Sequence, residues 1–131
     1  MKKKKAPALC PCGSSLSYED CCGRFHAGEA APDAVSLMRS RYSAFVKKDA
    51  AYLLRTWDPS TRPQSLTLDE PIKWLGLNIL GSSQQGDQAR VRFVARGKIN
   101  GRAFTQSELS RFVRRNDQWY YLDGDLDEDA C

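Results

Sequence analysis

The sequence predicts an α+β protein, with helices in its first half and an antiparallel sheet in its second. Apolar residues recur at helical spacing from Ala34 to Lys48, and from Trp74 onward the period falls to two. Helices first and a strand meander afterwards place the helices against one face of an antiparallel sheet. A third observation stands apart from these. The stretch "CPCGSSLSYEDCC", Cys10 to Cys22, holds four of the five cysteines in a chain of 131 residues. Residues 1–28 are therefore assigned to a basic N-terminus and a small cysteine module, and residues 29–131 to the α+β domain with an acidic tail.

The elements follow in order. Pro32-Asp33 opens the long helix, with Asp33 as its N-cap. Val35, Met38, Tyr42, Phe45 and Val46 form its apolar stripe, while Arg39, Ser40, Ser43, Lys47 and Lys48 point elsewhere. Asp49 caps a second short helix through Trp57, which Asp58-Pro59 ends. "STRPQS" is loop, and residues 66–73 are a turn or a short helix interrupted at Pro71. "WLGLNIL" is the first strand and "GSSQQGDQ" a turn. "ARVRFVAR" is the second strand, with Val91, Phe93 and Ala95 on one side. Asn100-Gly101 is the strongest hairpin signal, "AFTQSELSRFVRR" the third strand, Asn116-Asp117 a turn, and "QWYYLDG" the fourth strand. Leu75, Leu77, Ile79, Leu109, Val113 and Leu122 are assigned to the core.

A chain of 14.7 kDa is long enough to bury a core without disulfide staples. No apolar run approaches the roughly 20 residues that cross a bilayer, so no membrane insertion is expected. "MKKKKAPAL" has charge but no apolar stretch behind it, unlike a signal peptide. The expected location is the cytoplasm, where thiols stay reduced, and this argues against disulfides in the cluster. The net charge is +4, yet Lys2 to Lys5 form a basic head and "DGDLDEDAC" an acidic tail.

The cluster is spaced C-x-C, eight residues, then C-C. Four thiolates at such range suit a tetrahedral zinc ion; redox chemistry and buried incidental thiols are the alternatives. Gly13 permits the tight turn that brings Cys10 and Cys12 onto one centre. Adjacent Cys21 and Cys22 point apart in a strand but lie about 100° apart in a helical turn, where both can face one metal. His26 is the only histidine, and on a helix it shares the face of Cys22, so it stands as a substitute ligand. The loop has little apolar surface, so a chelator is expected to unfold the chain only to about Cys22.

"CPCGSSLSYEDCC" resembles the SEC-C motif, the zinc module of the bacterial preprotein translocase ATPase, with Ser15 where the motif usually has glycine. The resemblance implies zinc held by Cys10, Cys12, Cys21 and Cys22. It continues through "FHAGEAAPDAVSLMRSRYSAFVKKDAAYLLRTWDPSTRP", "WLGLNIL", "ELSRF" and "QWYYLDGD", which are similar to the bacterial YchJ family, also called UPF0225. That implies a SEC-C module ahead of an NTF2-like cone, in which N-terminal helices pack on a curved antiparallel sheet. The resemblance brings no enzymatic activity with it. In the translocase the motif docks on the acidic export chaperone SecB and on the ribosome, so the leading expectation is a zinc-binding adaptor with such a partner.

Two other function classes stay open. An NTF2-like fold often holds a pocket between sheet and helices. With a two-residue turn at Asn116-Asp117, Phe112 faces Tyr121 and Ser110 faces Asp123. Glu108, Ser110, Phe112, Trp119, Tyr121 and Asp123 then share one face, with Tyr42 and Arg41 as helical neighbours. An enzyme or small-ligand protein would use Tyr42, Glu108, Ser110, Phe112, Tyr121 and Asp123, although no nucleophile constellation or phosphate loop is present. The third class is an RNA-binding module, suggested by Arg90, Arg92, Arg96, Arg111, Arg114 and Arg115.

Overall fold

The computed structural model describes residues 9–68 and 70–126. Lys2 to Lys5, most of the acidic tail and Cys131 lie outside the described residues. The described chain forms α1 (Cys22–His26), α2 (Ala34–Lys47), α3 (Ala50–Arg55), β1 (Ile72–Gln85), β2 (Gln88–Ile99), β3 (Arg102–Arg115) and β4 (Gln118–Leu126). The strands make one antiparallel sheet in the order β1-β2-β3-β4.

The helix ends follow local chemistry. Asp33 caps α2 by accepting the Ser36 N–H at 2.7 Å, and Lys48 closes it in a left-handed conformation at φ 57°. Asp49 caps α3 by accepting the Tyr52 N–H at 3.1 Å. That helix stops at Arg55, short of the expected Trp57, because the Trp57 backbone bridges to Tyr121. The Asn100-Gly101 and Asn116-Asp117 turns both have positive φ at each residue, the mirror-image turns that match strand twist.

The sheet departs from expectation in two ways. First, "GSSQQ" is strand rather than turn: β1 runs to Gln85, which pairs with Gln88, and only Gly86-Asp87 turns. This end of β1 is exposed on both faces, so its ladder leaves no trace in the apolar pattern. Second, bulges reset the faces. Register shifts at Trp74/Gly76 and Ile79/Gly81 leave Leu75 and Leu80 as extra residues, 48% and 58% exposed. Leu75 is therefore not core, whereas Leu77 is buried and Ile79 packs against the core. Leu109 and Val113 occupy the face of β3 opposite Ser110 and Phe112 and are only half-buried, as is Leu122. The buried sheet face is built instead from Ala89, Val91, Phe93, Ala95, Phe112 and Trp119.

Helix α2 is buried on more than its apolar stripe. Ser40, Arg41 and Ser43 are as buried as Leu37, Met38 and Tyr42. The reason is geometric: at 100° per residue, Ser40 and Ser43 share one side of the helix and Arg41 and Tyr42 the other. The first side receives the cysteine module and the second covers the sheet.

Candidate functional site

The cysteines are brought together by a short hairpin and the start of a helix. Leu9 bridges to Ser17, and the Cys10 N–H donates to the Leu16 carbonyl at 2.8 Å. Inside this hairpin Gly13 and Ser15 both have left-handed backbones, at φ 86° and 73°. Only glycine adopts this region without cost, so Ser15 carries the strain that a glycine at that position would relieve. The chain then turns at Tyr18, whose carbonyl accepts the N–H groups of Cys21 and Gly23 at 3.1 and 2.7 Å. The approach at Gly23 is so close that a Cβ there would lie 2.7 Å from the Tyr18 carbonyl oxygen. Cys21 caps α1 and Cys22 begins it, so the adjacent cysteines face one point rather than opposite sides.

The Sγ atoms of Cys10, Cys12, Cys21 and Cys22 all lie within 4.8 Å of one another, and all four residues are buried. A tetrahedral zinc with Zn–S bonds of about 2.3 Å needs sulfurs about 3.8 Å apart, so the cluster can hold such an ion with small adjustment. Neighbouring groups already orient the sulfurs. Ser14 Oγ donates to Cys21 Sγ at 3.1 Å, Ser43 Oγ lies 3.5 Å from Cys10 Sγ, and Arg39 donates to the Cys12 carbonyl at 3.0 Å. The neighbouring Cys22 thiol, helped by Ser14 and Cys21, pulls Cys12 well below the usual thiol range against its burial. The nearness of Cys12 and burial push Cys22 up, and burial raises Cys21.

His26 is held away from this centre. Its Nδ1 lies 2.5 Å from the Tyr18 hydroxyl and its Nε2 2.8 Å from the Ser40 carbonyl, with the Tyr52 ring 4.4 Å away between centroids. Both ring nitrogens are thus engaged, Nδ1 with Tyr18 and Nε2 in fastening α1 to α2. Arg55 adds a bond to the Phe25 carbonyl at 3.2 Å, and Phe25 is buried in the same core as the cysteines and Leu37. The expectation that the module is energetically separate is therefore revised, because its inner wall is α2 itself.

The second feature lies across α2. A cavity of about 400 Å³ opens between helix and sheet, lined among others by Arg41, Tyr42, Glu108, Ser110 and Tyr121. Phe112 faces Tyr121 as expected, with ring centroids 5.8 Å apart, but it is buried and is not part of the cavity wall. Asp123 is not there either. Leu122 is an extra residue in β4, so Ser110 faces Gly124, and Asp123 faces Arg111, to which it is ion-paired at 2.5 Å. Trp119 packs away from the cavity, with the Arg114 guanidinium 5.2 Å from its ring centroid. Trp57, Trp74 and Phe104 also line the cavity, and the sequence reading did not select them. Arg41 carried a signal, since it sits beside Tyr42 between the apolar positions Met38 and Phe45.

The arrangement defines a class: a four-cysteine module docked on the helix of an NTF2-like cone. The SEC-C motif model matches residues 7–24, and the model described as YchJ, middle NTF2-like domain, matches residues 33–124. A UPF0225 protein of Bordetella parapertussis is 55% identical over 130 residues, covering 95% of this chain and 98% of that one. One from Cupriavidus metallidurans is 50% identical, with 95% and 93% covered. The chain belongs to the UPF0225 family of YchJ-like proteins. The solution structure of a SEC-C motif containing protein from Rhodopseudomonas palustris superposes with a TM-score of 0.81 at 34% identity, covering 91% of this chain and 98% of that one. The crystal structure of another, from Psychrobacter arcticus, gives 0.75 at 29% identity, with 93% and 84% covered. No helix among the described residues is long and apolar enough to cross a membrane.

Proposed function

We propose that this protein is a zinc-stabilised adaptor, which uses its SEC-C module to dock on an acidic partner of the SecB chaperone type in the cytoplasm. The observation that carries this reading is the hairpin around the sulfur cluster, which holds Leu9 and Leu16 outward at 67% and 51% exposure while all four cysteines are buried. Zinc bound by Cys10, Cys12, Cys21 and Cys22 would offset half of the thiolate charge and fix that hairpin. A four-sulfur set leaves no open coordination position for a reacting water, so the centre serves shape rather than chemistry. A rigid hairpin presents its leucines without the ordering cost of a flexible tail, and Lys2 to Lys5 precede it in sequence. Positive charge close in sequence to an apolar contact suits an acidic surface and speeds encounter.

Titration calorimetry of the zinc-loaded chain with purified SecB tests this. A complex should form at low salt and weaken as salt rises, because exposed charges are screened over about 8 Å at physiological ionic strength. Leu9→Ser or Leu16→Ser should weaken it about tenfold, some 1.4 kcal/mol. Absence of a complex at low salt would remove the chaperone, and co-sedimentation with ribosomes would then test the other partner. His26→Ala should leave metal content unchanged.

One observation favours a second reading. The outward positions Arg90, Arg92, Arg96 and Lys98 of β2 are all exposed on one face, which supports contact with RNA. Affinity for single-stranded RNA that falls steeply with salt would support it.

A further inference from the structure

The polar groups of the cysteine module are partnered within the module and by α2, whereas the cavity on the other side of α2 holds a buried N–H without an acceptor and a buried guanidinium without a direct ion pair. Arg41 is only 4% exposed. One terminal nitrogen donates to the Leu53 carbonyl at 2.8 Å and to Thr56 Oγ1 at 2.7 Å, and no carboxylate among the described residues forms an ion pair with it. Its guanidinium lies 5.3 Å from the centroid of the Trp57 ring and 4.6 Å from that of Tyr121. Trp57 Nε1 is buried and, among the described residues, is the one buried side-chain nitrogen or oxygen without a hydrogen-bond partner. Both residues line the cavity. A buried guanidinium that feels a carboxylate, Glu108, only at longer range, without a direct ion pair, and a buried N–H without an acceptor are each costly, and one anionic ligand group would serve both.

The rest of the cavity describes the ligand further. Tyr42, Phe45, Trp74 and Phe104 give it aromatic walls, and its volume of about 400 Å³ falls in the range of small-molecule sites. Trp74 meets Tyr42 and Phe104 edge-on at 5.7 and 5.8 Å, an arrangement that accepts a further ring. Glu108 also lines the space. It accepts from Ser110 Oγ at 2.6 Å and from Gln106 at 3.4 Å, and a carboxylate has lone pairs for a further donor.

We propose that this cavity binds a small aromatic carboxylic acid that carries a hydrogen-bond donor away from its carboxylate. The carboxylate would meet Arg41 and Trp57 Nε1, the ring would lie among the aromatic side chains, and the donor would turn to Glu108. Burial lowers Arg41 to about 10, which still leaves it cationic at neutral pH. The site does not depend on the adaptor reading, since none of these residues touches the sulfur cluster.

The test uses the full zinc-loaded chain and three probes: 4-hydroxybenzoate, benzoate, and 4-hydroxybenzyl alcohol, which lacks the carboxylate. Binding is followed by the NMR resonance of the Trp57 indole N–H, assigned by its loss in Trp57→Phe. The resonance should move and saturate with 4-hydroxybenzoate. The alcohol should bind about tenfold more weakly, the worth of one charge-assisted hydrogen bond, and benzoate should lie between. Trp57→Phe keeps the ring and should weaken 4-hydroxybenzoate about tenfold when followed by calorimetry. Arg41→Lys should weaken it as well, with the fold checked by the amide spectrum. No shift up to about 10 mM probe, the limit of even very weak binding, would overturn the proposal. So would equal binding of the alcohol, or undiminished binding by Trp57→Phe.

Discussion

On one side of α2, Ser40 and Ser43 meet the cysteine module; on the other, Arg41 and Tyr42 meet the cavity. The module draws its four sulfurs from 13 consecutive residues and surrounds them with donors from Ser14, Arg39 and Ser43. The cavity draws its walls from α2, α3's exit, and strands β1 to β4, and it leaves Trp57 Nε1 unsatisfied. A satisfied, closed centre contributes to folding and presents a surface. On the proposals above, the open one is arranged for a ligand, and one helix divides a part that gives shape from a part that takes a small molecule.

The comparison is broken most severely by removing a sulfur. Cys12→Ser or Cys22→Ser should release the metal and lower stability by at least ~4 kcal/mol, because metal binding at such a site is folding free energy. Because Ser40 and Phe25 tie the module to α2 and the core, helical circular dichroism should fall well beyond what residues 10–26 contribute. Loss limited to the module would restore the picture of two separate units.

Gly23→Ala should cost about 2–3 kcal/mol and reduce metal retention, because the new Cβ would clash with the Tyr18 carbonyl. Chemical denaturation and metal analysis read both effects.

At the exit of α3, Arg115→Met should lower stability by a smaller amount, since it takes the charged partner from the buried Asp58 carboxylate. Asp58 is 1% exposed, accepts from Arg115 at 2.6 Å, and anchors the exit of α3 to Tyr121. The Arg115 hydrogen bond, joined by Ser60, holds the Asp58 carboxyl below its usual range. Its contribution is therefore complete above the unfolded value of about 3.9 and is lost as pH falls through the lower folded one. Removing Arg115 should move the acid-unfolding midpoint to higher pH; an unchanged midpoint would show that Ser60 alone holds the carboxylate.

The smallest expected effect is a gain. Ser15→Gly should stabilise the module by about 1 kcal/mol or less, relieving the left-handed serine. Thermal denaturation at constant zinc measures it.

The same division explains what the sequence disclosed. The cysteine spacing, the Asp33 and Asp49 caps and the Asn100-Gly101 turn are local signals, and the structure carries each of them. The face shared by Glu108 and Ser110 was legible because β3 is regular there. Asp123 was misplaced because one extra residue, Leu122, inverts everything after it in β4, and Leu75 fails for the same reason in β1. No composition or period announces a bulge. Burial of Ser40 and Ser43 was equally hidden, since a polar residue on a helix reads as solvent-facing until another module covers it.

X-ray absorption at the zinc edge, on protein purified without added metal, tests the central claim most directly. The account predicts about one zinc per chain with four sulfurs at about 2.3 Å and no nitrogen or oxygen neighbour. A nitrogen in the first shell would bring His26 into the centre, an oxygen would open it to reaction, and the absence of metal would deny the module its staple.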